Sequence, residues 1–159
     1  MKVTLLLADF AQVSEGKLNI IGGGWSVTGP FPVPSAVAAK IEVPWDQANK
    51  RHHVVLELKD EDGRPVLFPS PLDGDLKAVR VDADLEVGRP PGLTPGTPLD
   101  APMAVNIGPM PLTPGKRYIW ELSINDETHE DWRVPFSVRG FPPGFQPPPP
   151  GFPPPPQTF

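Results

Sequence analysis

Three histidines, His52, His53 and His129, are the side chains of this 159-residue chain best suited to proton transfer or metal binding near neutral pH. A metal site requires them to converge. His52 and His53 are adjacent in an alternating segment, and neighbours on a strand point to opposite faces, so they are not expected to share an ion. His129 stands with Glu127, Glu130 and Asp131 in a polar stretch that reads as a solvated loop tip. Asp60-Glu61-Asp62-Gly63 and Asp73-Gly74-Asp75 are fragments of calcium loops, but neither carries the D-x-[DN]-x-[DN]-G-x5-E pattern, and the first reads as a tight turn. The run Gly22-Gly23-Gly24-Trp25 invites a phosphate-loop reading. No Lys-Ser/Thr follows it, G-x-G-x-x-G spacing is missing, and Ser26 to Pro30 cannot open the helix that would bind phosphate. These glycines are expected to form a bulge or to let a strand or Trp25 pack closely. No metal and no cofactor are expected.

Catalytic constellations are equally sparse. Cysteine is absent, which removes thiol nucleophiles, thiolate zinc sites and disulfides together. No G-x-S-x-G elbow occurs, and a Ser-His-Asp triad would have to draw on a histidine in a loop or strand-start context. Asp82 and Asp84 share a strand face, but their alternation with Val81, Ala83 and Leu85 marks a wet face. The chain is read as a non-enzyme. With Lys+Arg 14 against Asp+Glu 19 the net charge is −5, which gives no electrostatic footprint for nucleic acid or an anionic membrane. No apolar run reaches membrane-spanning length, and Asp9 interrupts the opening run from Val3, so a cytoplasmic protein is expected.

The elements around these residues follow a period of two. Val54, Leu56 and Leu58, then Val79, Val81, Ala83, Leu85 and Val87, then Tyr118, Trp120, Leu122 and Ile124, then Val134, Phe136 and Val138 each alternate with mainly polar neighbours. Pro135 predicts an edge strand. Three hairpins are expected: Val3 to Val13 with Leu18 to Ile21, Val54 to Leu58 with Pro65 to Phe68, and Tyr118 to Ile124 with Val134 to Val138. Helix signals reduce to one possible turn in Trp45 to Arg51. The proline-stiffened stretch Gly88 to Asp100 is read as a crossover between sheets, and Val37 to Ile41 as a strand whose place, edge or interior, stays open. Seven to nine short strands between Gly/Pro loops predict an all-β fold. Its form is a two-layer antiparallel β-sandwich, immunoglobulin-like in general architecture, over residues 1–140.

Of 26 prolines, ten follow Gly140 in a segment without any charged side chain. Residues 141–159 are therefore read as a Pro/Phe-rich tail, in polyproline II or disordered. Pro-Pro-Gly-Phe occurs at 142–145 and again at 149–152. A spacer needs no aromatics, so Phe145, Phe152 and Phe159 are candidate docking anchors.

The stretch Leu7-Ala8-Asp9-Phe10-Ala11-Gln12-Val13-Ser14-Glu15-Gly16-Lys17-Leu18-Asn19-Ile20-Ile21-Gly22-Gly23-Gly24-Trp25 resembles a family of small uncharacterised bacterial proteins of unknown function. So do Ile41-Glu42-Val43-Pro44-Trp45, Leu56-Glu57-Leu58-Lys59-Asp60-Glu61-Asp62-Gly63 and Val87-Gly88-Arg89-Pro90-Pro91-Gly92. The resemblance spans most of 3–139 and excludes the tail. It implies a β-sandwich and carries over no catalytic or binding residue.

The expected function is protein–protein interaction or self-association, through an edge strand or the proline-rich tail acting as a docking or tethering segment. A subunit of a phage or secretion-type assembly is one alternative. A small-molecule or sugar binder using Trp25, Trp45 or Trp132 is another.

Overall fold

The computed structural model describes residues 1–146. Their strands are β1 (Lys2–Ala8), β2 (Phe10–Ser14), β3 (Lys17–Ile21), β4 (Val27–Thr28), β5 (Ser35–Val43), β6 (Arg51–Asp60), β7 (Leu67–Pro69), β8 (Leu76–Ala78), β9 (Arg80–Glu86), β10 (Leu99–Ile107), β11 (Arg117–Ile124) and β12 (Arg133–Val138). Two single 3-10 turns, Trp45–Gln47 and Glu130–Trp132, are the only helical pieces among the described residues. No helix there is long and apolar enough to cross a membrane. The chain is all-β.

One sheet has five strands in the order β4-β12-β11-β6-β9, another has three in the order β1-β5-β10, and β2-β3 and β7-β8 form two-stranded ladders. Leu5, Leu7 and Ile41 of the three-stranded sheet and Leu56, Trp120, Leu122 and Phe136 of the five-stranded sheet join one buried cluster. Alternation makes this possible, because every second residue of each strand reaches the same side. Each such large side chain contributes on the order of 1.5–3 kcal/mol by leaving water.

Twelve segments replace the seven to nine expected, because two of the foreseen hairpins divide. The first breaks at Asp9: β1 pairs with β5, whereas β2 pairs with β3. At the break Gly22 adopts φ 60°, and a Cβ there would lie 2.1 Å from Asp9 Oδ2. Gly22 therefore leaves room for the Asp9 side chain, rather than for the strand or Trp25 that the sequence suggested. The second hairpin holds only near the Asp60–Gly63 turn, where Val66 N–H donates to Leu58 O at 2.9 Å. Beyond it Leu67 and Phe68 pair with β8, and β9 runs beside β6. The third hairpin forms as expected, with β11 antiparallel to β12.

Strand β5 is central to its sheet, and Ala36 to Ala39 are all buried. The β2-β3 ladder covers its outer side, packing Ala11 against Ala36 and Ala38. Asn106 pins it there by donating from Nδ2 to Ala11 O at 2.7 Å and accepting from Ala11 N–H at Oδ1, 3.2 Å. A side-chain amide thus takes the place of a backbone partner. Pro135 sits where β12 lacks an outer neighbour, since β4 pairs only with Ser137 and Val138 and runs parallel to them. The segment between β9 and β10 does cross from one large sheet to the other.

Candidate functional site

The proline-rich region begins with a turn. Phe145 N–H donates to Pro142 O at 3.0 Å, and Gly144 between them has φ 81°. Proline followed by glycine at the two central positions is the chemistry of a type II turn. The turn folds Phe145 back over Phe141, with stacked rings 4.9 Å apart. Both rings lie 5.7 Å from Phe31 of the loop between β4 and β5. The first Pro-Pro-Gly-Phe copy thus ties the start of the proline-rich segment to the body, and Phe141 stays 38% exposed. Phe152 and Phe159 lie outside the described residues.

A second place of interest is the sheet end where the β5–β6 connection meets the β11–β12 loop. Ile124 and Glu127 exchange backbone hydrogen bonds of 2.8 and 3.1 Å around Asn125 and Asp126, whose φ values are 52° and 65°. That is a two-residue type I′ turn, for which Asn and Asp are well suited. Asn125 Oδ1 accepts from the His53 backbone N–H at 2.9 Å, which fixes the amide orientation. Its Nδ2 therefore donates to His52 Nδ1 at 3.1 Å. His52 Nε2 faces the Gln47 carbonyl at 3.0 Å, and a carbonyl only accepts, so this nitrogen carries the proton. His52 is 3% exposed and held as one neutral tautomer, with both nitrogens engaged. It is a wall, with no ring nitrogen left for a metal or proton relay.

In front of it lies a polar cavity of about 330 Å³, walled by Asp46, Gln47, Asn125, Glu127 and His129 among others. An adjoining cavity of about 520 Å³ shares Met1, Pro44 and Asp46 with it and adds Trp45 and Pro98. The structure thus brings His52 and His129 to one cavity, which the sequence did not suggest. The turn signal at Asn125-Asp126 was the available clue. No group of three His, Cys, Asp or Glu able to hold a metal occurs among the described residues.

His53 points to the opposite face, as alternation required. Its Nε2 lies 3.3 Å from Asp82 and its Nδ1 3.3 Å from Asp84. The Arg80 hydrogen bond holds the Asp82 carboxyl below its ordinary range. The same outer face aligns Arg133, Glu121, Glu57 and Arg80 in one row across four strands. Glu121, only 11% exposed, bonds Lys59 at 2.5 Å and Arg133 at 2.6 Å. Burial alone would raise its pKa, but Lys59 and then Arg133 outweigh that effect and hold the carboxyl below its usual value.

The three tryptophans do not converge. Trp25 is half-buried and meets Phe136 edge to face at 6.0 Å. Trp132 is 4% exposed and packs under His129, ring centroids 4.4 Å apart. Trp45 carries the Arg89 guanidinium over its ring at 4.8 Å, and Arg89 Nη2 also donates to Trp45 O at 2.8 Å. Only Trp45 combines partial exposure with a cavity of useful size.

No curated protein matches the chain. A family model described as a family of unknown function matches residues 3–139, nearly the whole of the described body, and the chain belongs to that family, DUF6941.

Proposed function

We propose that this is a cytoplasmic, non-catalytic β-sandwich of immunoglobulin-like general architecture that works by protein–protein contact or self-association. The segment from Phe141 onward serves as its docking or tethering element. The observation carrying this reading is the turn at Pro142–Phe145, in which the first Pro-Pro-Gly-Phe copy uses its aromatic ring as an anchor on Phe31. An inert spacer has no such use for phenylalanine, and a proline-rich chain already restricted in conformation binds at low entropic cost. The sandwich form is supported by the single buried cluster to which both large sheets contribute.

The tail is favoured over an edge strand as the route. The β9 edge bears Arg80, Asp82, Asp84 and Glu86, and β10 carries Pro102, all devices that discourage strand addition. The test compares the full chain with a version ending at Gln146, which keeps the Phe31 cluster, by sedimentation velocity over a wide concentration range and by affinity capture. Association or partner retention that disappears on truncation is expected. A full chain that stays monomeric and retains nothing more than the truncated one overturns the reading.

A further inference from the structure

We propose that the groove running from Trp45 to His129 at one end of the sheets is a saccharide-binding site. This does not depend on the role of the tail. Its two adjoining cavities, about 330 and 520 Å³, fall in the size range of small-molecule sites. The two halves differ in chemistry. One is lined by Trp45, Met1, Pro44 and Pro98, an apolar wall built around an indole. The other presents Asp46, Gln47, Asn125, Glu127 and His129, planar polar groups that can accept from hydroxyls and, through the amides and imidazole, donate to them. A pyranose ring needs this pairing, because it offers a face of C–H groups and a rim of hydroxyls.

The walls are set before any ligand arrives. Arg89 covers one side of the indole and bonds the Trp45 carbonyl, yet it does not line the cavity that reaches Trp45. The type I′ turn fixes Asn125, and the engaged His52 backs the polar half. Such prior ordering lowers the cost of binding. Lys40 and Lys2 pair with Glu42 at 3.0 and 3.3 Å and offset its charge in the apolar half, which shares Asp46 with the polar half. The polar half keeps Asp46 and Glu127, which fit a polyol as acceptors and would suit a polyamine as charges.

The experiment is an NMR titration of the full chain, uniformly ¹⁵N-labelled, with D-glucose, D-galactose, D-mannose and N-acetyl-D-glucosamine, and with spermidine as the cationic rival. Saturable shifts of the Trp45 indole and Gln47 side-chain amide are expected with at least one sugar in the millimolar range. Trp45→Ala is expected to weaken that binding by about tenfold, the order of a stacking contact. If Trp45→Ala does not fold, Asp46→Asn and Glu127→Gln, at exposed positions, take its place and are expected to weaken it several-fold. Shifts with none of the four sugars, shifts that the variants leave unchanged, or shifts with spermidine alone overturn the proposal.

Discussion

Replacing Asn125 tests the hydrogen-bond logic at the sheet end. In the folded chain its amide accepts from the His53 N–H and donates to His52 Nδ1, while its backbone sits at φ 52°. Asn125→Gly removes both side-chain bonds but keeps the left-handed turn free of steric cost. Each lost bond costs about 0.5–1.5 kcal/mol, and a buried imidazole nitrogen left unpaired pushes the sum toward the upper end, so about 2 kcal/mol is expected. Asn125→Ala loses the same bonds and adds the left-handed penalty of a β-carbon without Asn's local compensation, about 1 kcal/mol more. For a domain of this size the glycine variant should melt about 6 °C lower. Urea unfolding followed by tryptophan fluorescence reads the difference, since Trp120 and Trp132 are both buried. Imidazole ¹⁵N shifts should also show His52 as the Nε2–H tautomer. A glycine variant within about 0.5 kcal/mol of wild type, or a His52 proton on Nδ1, would refute the reasoning.

Two further outcomes concern other parts of the fold. Glu121 is held below its ordinary value of 4.5 in the folded chain, so its contribution to stability is complete above that pH and disappears as the pH falls through the lower folded value. Glu121→Gln should therefore flatten the acid limb of a stability–pH curve below about pH 4.5 while changing its shape little above pH 6; an unchanged acid limb would count against the Lys59 and Arg133 contacts. Gly22→Ala forces a side chain into φ 60° beside the Asp9 carboxylate, and because that exposed carboxylate can swing aside, the expected loss is about 1–2 kcal/mol. Chemical denaturation measures it, and no loss would mean that the bend at Asp9 does not need a glycine.

The all-β class, the inward residues of β6, β11 and β12, and the opposed faces of His52 and His53 were legible from residue order alone, because a period of two is a local property of an extended chain. The sequence also marked the Pro-Pro-Gly-Phe repeat, whose first copy supplies its own turn chemistry. It did not show that Val3 to Val13 divides at Asp9, since pairing partners such as β5 are chosen across the fold rather than along it. Nor did it show why Ala36 and Ala38 are small: their outer side is covered by a ladder whose docking depends on Asn106, distant in the chain. The groove between Trp45 and His129 was least legible of all. Its walls come from Met1 and Lys2 at the head of β1, from the two connections at one sheet end and from the β9–β10 crossover, and only the packing of two sheets brings those segments to one place.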